Sequence, residues 1–138
     1  MRALVVSNMR PSAGDPSRGS FVRDQVRALR ALSDPDLELE TYDFPPGAYA
    51  SAARDLRRRY RGAGLDVVHA HFGLTAWPAL AVPTQVRAVT LHGTDVMHPR
   101  TRLATAPVLG LMQIVAAVSA ELVAQLPGSR ARSRSEAA

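Results

Sequence analysis

The sequence predicts an α/β fold: a mostly parallel sheet of about five strands with helices on both faces. Two observations lead there. Short apolar runs alternate about five times with segments of helical periodicity along the chain. One run, LDVVHA, is almost continuously apolar, as suits a strand buried from both sides. The length, 138 residues, leaves room for one domain with a real core, and no internal repeat is visible.

The elements follow in order. Ala3 to Val6 is a short apolar run that leads into SNMRPSAGDPSRGS, a stretch dense in Ser, Pro and Gly. That pattern reads as a buried strand feeding a long loop. From Ser20 onward, Val22, Val26 and Leu29 fall at i, i+4 and i+7, with Leu32 three further on. They form one helical face, with Ser20 as the expected N-cap.

Leu37, Leu39 and Thr41 alternate with Glu38, Glu40 and Tyr42, a second strand ending before Pro45-Pro46-Gly47. Tyr49, Ala52, Ala53, Leu56 and Tyr60 return to helical spacing, with Arg54, Arg57, Arg58 and Arg61 on an outer face that reads as solvated. Leu65 to Ala70 is the third strand. Gly73 to Val82 is a short helix with Pro78 near its start or at a kink. Val86 to Leu91 and Gln113 to Val118 are strands four and five. Ser119 then caps SAELVAQL, with Glu121 in the first turn, where the helix dipole favours negative charge. The tail over residues 129–138 loses all apolar periodicity and is expected to be disordered.

Composition narrows the function classes. Apolar residues make up 46% and charged residues 21%, the balance of a soluble globular fold. The net charge is +5, and all 17 basic residues are Arg. A coding bias explains that as well as a polyanion partner does. The seven aromatic residues are scattered, so no stacking platform for single strands is formed and no specific nucleic acid is expected. The absence of cysteine removes disulfides, thiolate metal sites and a cysteine nucleophile. The apolar run near the N-terminus is too short for a signal peptide, and no run reaches the ~20 residues of a membrane span. A cytoplasmic protein is expected, with peripheral contact at the inner face of the membrane left open.

Ligands of open parallel sheets bind past the carboxyl ends of the strands. Three such places carry suggestive residues. Asn8, Arg18 and Gly19 lead into the first helix, whose N-terminus could cradle an anion or simply close a turn. The loop matches neither the dinucleotide nor the P-loop glycine pattern. His69 and His71 follow at i and i+2 around the end of strand three and face the same side. They lack a third ligand at suitable spacing, so no metal site is assigned; His69 reads as the buried, structural histidine and His71 as the more available one. His92, Gly93, Thr94 and Asp95 follow strand four as a compact polar cluster suited to sugar hydroxyls or proton transfer, or equally as a turn capped by Asp95.

The segments LVVSNMRPSAGDPSRGSFVRDQVRAL, DVVHAHFGLTAWPAL, AVTLHGTDV and IVAAVSAELVAQL, in that order, resemble the N-terminal domain of bacterial family-four glycosyltransferases over residues 1–128. The resemblance implies a Rossmann-like domain, the acceptor-side half of a GT-B fold whose active site lies between two such halves. It implies a retaining transfer from a nucleotide-sugar donor to a glycan, lipid or small-molecule acceptor, with no metal and no cofactor. By this likeness Gly19 places a backbone N–H near the donor diphosphate, and His92 contacts the transferred sugar. Gly93, Thr94 and Asp95 line the same cleft, with His92 and Asp95 as the catalytic candidates. His71 and Gly73 lie on the acceptor side, and Ser119 matches the V-S at the end of strand five. Arg18 receives no role from the likeness.

Family members continue into a donor domain, whereas this sequence ends in SRARSRSEAA. Little or no transferase activity is therefore expected of the chain alone. The alternative is a non-catalytic binding module or a split half that pairs with a separate donor-domain chain.

Overall fold

The computed structural model describes residues 1–32 and 34–126, so the expected tail at 129–138 lies outside the described residues. The elements run β1 (Arg2–Ser7), α1 (Ser20–Ala31), β2 (Glu38–Asp43), α2 (Tyr49–Arg59), β3 (Leu65–His71), α3 (Ala76–Ala79), β4 (Thr84–Leu91), α4 (Thr94–Met97), α5 (Pro99–Leu109), β5 (Ile114–Ala117) and α6 (Ala120–Ala124). All pairings are parallel, in the order β2-β1-β3-β4-β5. The predicted α/β class and five-strand sheet are present. No helix among the described residues is long and apolar enough to cross a membrane.

Register sets which side chains share a face. Val5 pairs with His69 and His69 with Ala88, while Val6, Ala70 and Val89 alternate to the opposite side. On the first side, α1 lays Val22 and Val26 against Val5, with Leu39 at the margin. On the other side the main core gathers Leu4, Val6, Val68, Ala70, Val89 and Leu91 beneath α2 (Leu56), α3 (Ala79), α5 (Val108) and α6 (Leu122). Helices therefore lie on both faces, but unequally. On the α1 side, β5 is open: Ile114 is 53% exposed, and Val118 just beyond the strand is 58% exposed.

Several boundaries differ from the sequence expectation for identifiable reasons. Ser20 is the first helical residue, and the N-cap is Gly19, at φ 73°, with no side-chain cap. A Cβ at Gly19 would stand 2.6 Å from the Met9 carbonyl oxygen, so the loop folds back where only glycine fits. In β2 the buried side chain is Tyr42, whose ring packs near Phe44, while Leu39 is only partly covered. The third helix shrinks to four residues around Pro78. Two helices, α4 and α5, occupy a stretch that carries no amphipathic signal; α5 starts with Pro99 at its first turn and contains Pro107.

Candidate functional site

The strand order changes direction between β1 and β3: the chain leaves β1 toward β2 on one side, then returns and builds β3, β4 and β5 on the other. In open α/β sheets this switch point opens a crevice at the carboxyl ends of the strands. Here it is bounded by Ser7, His71, His92 and the start of α1.

Three imidazoles stack across this end of the sheet. His69 and His71 project from the same face of β3, as their i, i+2 spacing requires, with ring centroids 4.6 Å apart. His71 Nδ1 lies 2.9 Å from His92 Nε2, so one ring donates and the other accepts, and His69 Nε2 lies 2.7 Å from the Thr90 hydroxyl. Their burial is the reverse of the expectation. His71 is 2% exposed, with Phe21 of α1 edge-on to it at 6.5 Å, whereas His69, further back on the same face, is only partly buried. Phe21 packs tilted against His92 at 4.8 Å and edge-on to Phe72 at 5.9 Å between ring centroids. Phe72 itself holds a left-handed backbone at φ 74°, costly for a bulky residue and seen where surrounding structure dictates it.

The electrostatics follow from this packing. Burial disfavours the imidazolium, so His71 is pushed down to about 3, with the neighbouring His69 and His92 adding to the effect. His69 is lowered by burial and by His92. His92 is lowered by burial against an opposing pull from Asp95. All three are neutral at pH 7 and form a hydrogen-bonding surface without charge. His71 Nε2 is buried and has no partner among the described residues. No group of three or more His, Asp or Glu side chains among the described residues could hold a metal ion.

Asp95, 2% exposed, holds the two loops together. One carboxylate oxygen accepts from the Gly73 N–H at 3.0 Å, the other from the His92 N–H at 2.9 Å. Both oxygens are thus occupied in fixing the backbone that carries His92, which makes Asp95 a positioning residue in this geometry. Gly73 is pinned from the other side, since a Cβ there would overlap the Thr105 side chain of α5.

The amino end of α1 adjoins the histidines through Phe21. Ser20 N–H donates to the Ser17 carbonyl and Arg23 N–H to Gly19, while the N–H groups of Phe21 and Val22 have no partner among the described residues. No acidic residue lies in this first turn, so the positive end of the helix dipole is uncompensated.

Other predicted residues fall outside this convergence. Arg18 pairs with Asp15 at 3.4 Å within its own loop. Ser119 caps α6, accepting from the Leu122 N–H at 3.3 Å, as expected of an N-cap. Gly93 is the N-cap of α4, and Thr94 is exposed at its first turn. Sequence reasoning missed Phe21, Phe72 and Thr90. Phe21 lies beside the apolar stripe of α1, and only the crossing of α1 over the sheet reveals what it covers.

No protein-family model matches the chain, and no curated protein matches it.

Proposed function

We propose that the chain is the N-terminal, acceptor-side half of a retaining glycosyltransferase of family four, and that sugar transfer requires a donor domain facing the same cleft. The observation that carries this reading is the meeting, at the switch point, of an uncompensated helix N-terminus with a neutral histidine pair. The N–H groups of Phe21 and Val22, beside the Gly19 turn, suit the oxygens of a departing diphosphate, whose growing charge they stabilise as fixed dipoles. His92, uncharged and partly exposed, suits a sugar hydroxyl, while Asp95 sets its backbone position. His71 and Gly73 form the acceptor-side floor.

Amide NMR of the chain tests this. Adding UDP-, GDP- and ADP-sugars in turn, and inorganic pyrophosphate, should shift Phe21, Val22 and His92 selectively for at least one of them. A flat response at those three amides to every ligand would overturn the reading. Sugar transfer by the isolated chain would overturn the need for a donor domain.

One observation favours the second reading, a half that pairs with another polypeptide. Ile114 and Val118 expose apolar surface along an edge strand whose other neighbour is absent among the described residues. Co-purification of a donor-domain chain would support it, and a strictly monomeric chain in light scattering, alone and with that partner, would refute it.

A further inference from the structure

At the opposite end of the sheet, where the strands begin, α2 and the segment entering β4 border an open concavity of about 540 Å³ lined by Arg57, Arg61, Leu80, Ala81, Pro83 and Arg87. Three arginines share one concavity with Leu80, Ala81 and Pro83, and no acidic residue lines it. None of the three forms an ion pair among the described residues, whereas Arg58 on the same helix pairs with Asp55 at 2.9 Å and Arg59 lies over the Tyr42 ring. Like charges brought together without counter-charge repel, so the arrangement stores a demand for an anion.

Arg87 makes the cavity more than a surface patch. Its backbone is fixed on both sides by Gln113, whose side chain accepts from the Arg87 N–H and whose own N–H donates to the Arg87 carbonyl. Its Nη2 donates to the Val82 carbonyl at 3.2 Å, which locks the guanidinium in place. Its Nε is buried and has no partner among the described residues. A buried guanidinium N–H left unmet is costly, and an anion nearby offsets that cost through its charge without having to touch Nε.

We propose that Arg57, Arg61 and Arg87 form a binding site for a small phosphorylated molecule, distinct from the histidine cleft. Guanidinium forks match phosphate oxygens in geometry and charge. The concave shape, lined also by Leu80 and Pro83, suits a soluble phosphate ester better than a flat anionic surface.

Inorganic phosphate is the first probe, titrated against the full chain at constant ionic strength with chloride as control and followed by amide NMR. Saturable shifts confined to residues around Arg57, Arg61 and Arg87 are expected, and glycerol 3-phosphate should compete for them. Arg57→Gln/Arg61→Gln, at two exposed positions, should fold normally and bind phosphate about tenfold or more weakly. Arg87→Gln should do the same where it folds. Shifts equal to those with chloride, or unchanged affinity in the double variant, would overturn the site. Binding to phosphatidylglycerol vesicles that excess phosphate does not displace would overturn it in favour of a membrane surface.

Discussion

Replacing Asp95 tests whether this carboxylate clamps the cleft or acts on a substrate. It is 2% exposed and accepts from two backbone donors, Gly73 at 3.0 Å and His92 at 2.9 Å, on loops that leave different strands. Asp95→Ala strands both N–H groups in a site too enclosed for water to reach freely. Each unmet donor costs about 1–3 kcal/mol, and the burial cost of the carboxylate is relieved at the same time, so a net loss of roughly 2–4 kcal/mol is expected. Asp95→Asn keeps one carbonyl acceptor and turns an NH2 toward the second donor, so about half that loss follows. Against a total stability of about 5–15 kcal/mol for a domain of this size, the alanine variant is visibly destabilised. Urea unfolding followed by circular dichroism reads the magnitude, and hydrogen exchange at the Gly73 and His92 amides reads the location. If Asp95→Ala unfolds within about 0.5 kcal/mol of the parent, with both amides equally protected, the clamp is not what holds these loops.

Three further outcomes follow from the same geometry. Because burial lowers all three imidazoles, the unfolded chain binds protons that the folded chain refuses; stability is fully present above pH 6.5 and falls as the pH drops toward 3. His71 alone accounts for about 2 kcal/mol between pH 7 and pH 5, so urea midpoints that stay constant over that interval would refute the neutral cluster. Phe21→Ala removes the ring over His71 and His92, and an imidazole NMR titration should show His71 moving up from about 3 toward its ordinary range, whereas an unmoved His71 would mean that Phe21 is not its shield. Ser119→Ala removes the only side-chain N-cap seen among the described helices and should cost about 1 kcal/mol, read as lost amide protection at Leu122; full protection there would mean that the cap contributes nothing.

The fold class was legible because its signal is redundant. The strands beginning near Ala3, Leu65, Val86 and Gln113 all announce themselves by apolar runs, and their observed limits fall within about two residues of those runs. The α5 helix was not legible, because Pro99 to Leu109 has no apolar stripe; it is held by tertiary contacts, Val108 in the core and Thr105 against Gly73. The cleft was legible only as three separate places. The i, i+2 spacing put His69 and His71 on one face, but pairing His71 with His92 needs the register that sets His71 beside Thr90. The burial of the two β3 histidines came out reversed because it depends on where Phe21 lands, a fact of helix crossing rather than of strand pattern. The hydroxyl rule favoured Ser20 as the cap of α1, whereas the backbone needed Gly19 in a left-handed conformation against Met9.

The positive charge is not spent at the cleft. Arg18, just before α1, is paired with Asp15, the Arg23 guanidinium is turned onto the Arg18 and Pro16 carbonyls, and the three histidines beneath are kept uncharged by burial. What the cleft offers an anion is therefore the fixed dipole of α1, which falls off within its first turn and acts on a group held close to the backbone. Three arginines with no ion pair among the described residues lie elsewhere: Arg57, Arg61 and Arg87 line the concavity at the far end of the sheet, where the Arg87 Nε is left unmet. On the two proposals, the ends would select ligands differently, one by short-range backbone donors and neutral rings, the other by net charge. Raising salt should accordingly weaken phosphate at the arginine cavity far more than it weakens a hydroxyl-rich ligand at His92, since screening acts on exposed charges and hardly on neutral hydrogen bonds.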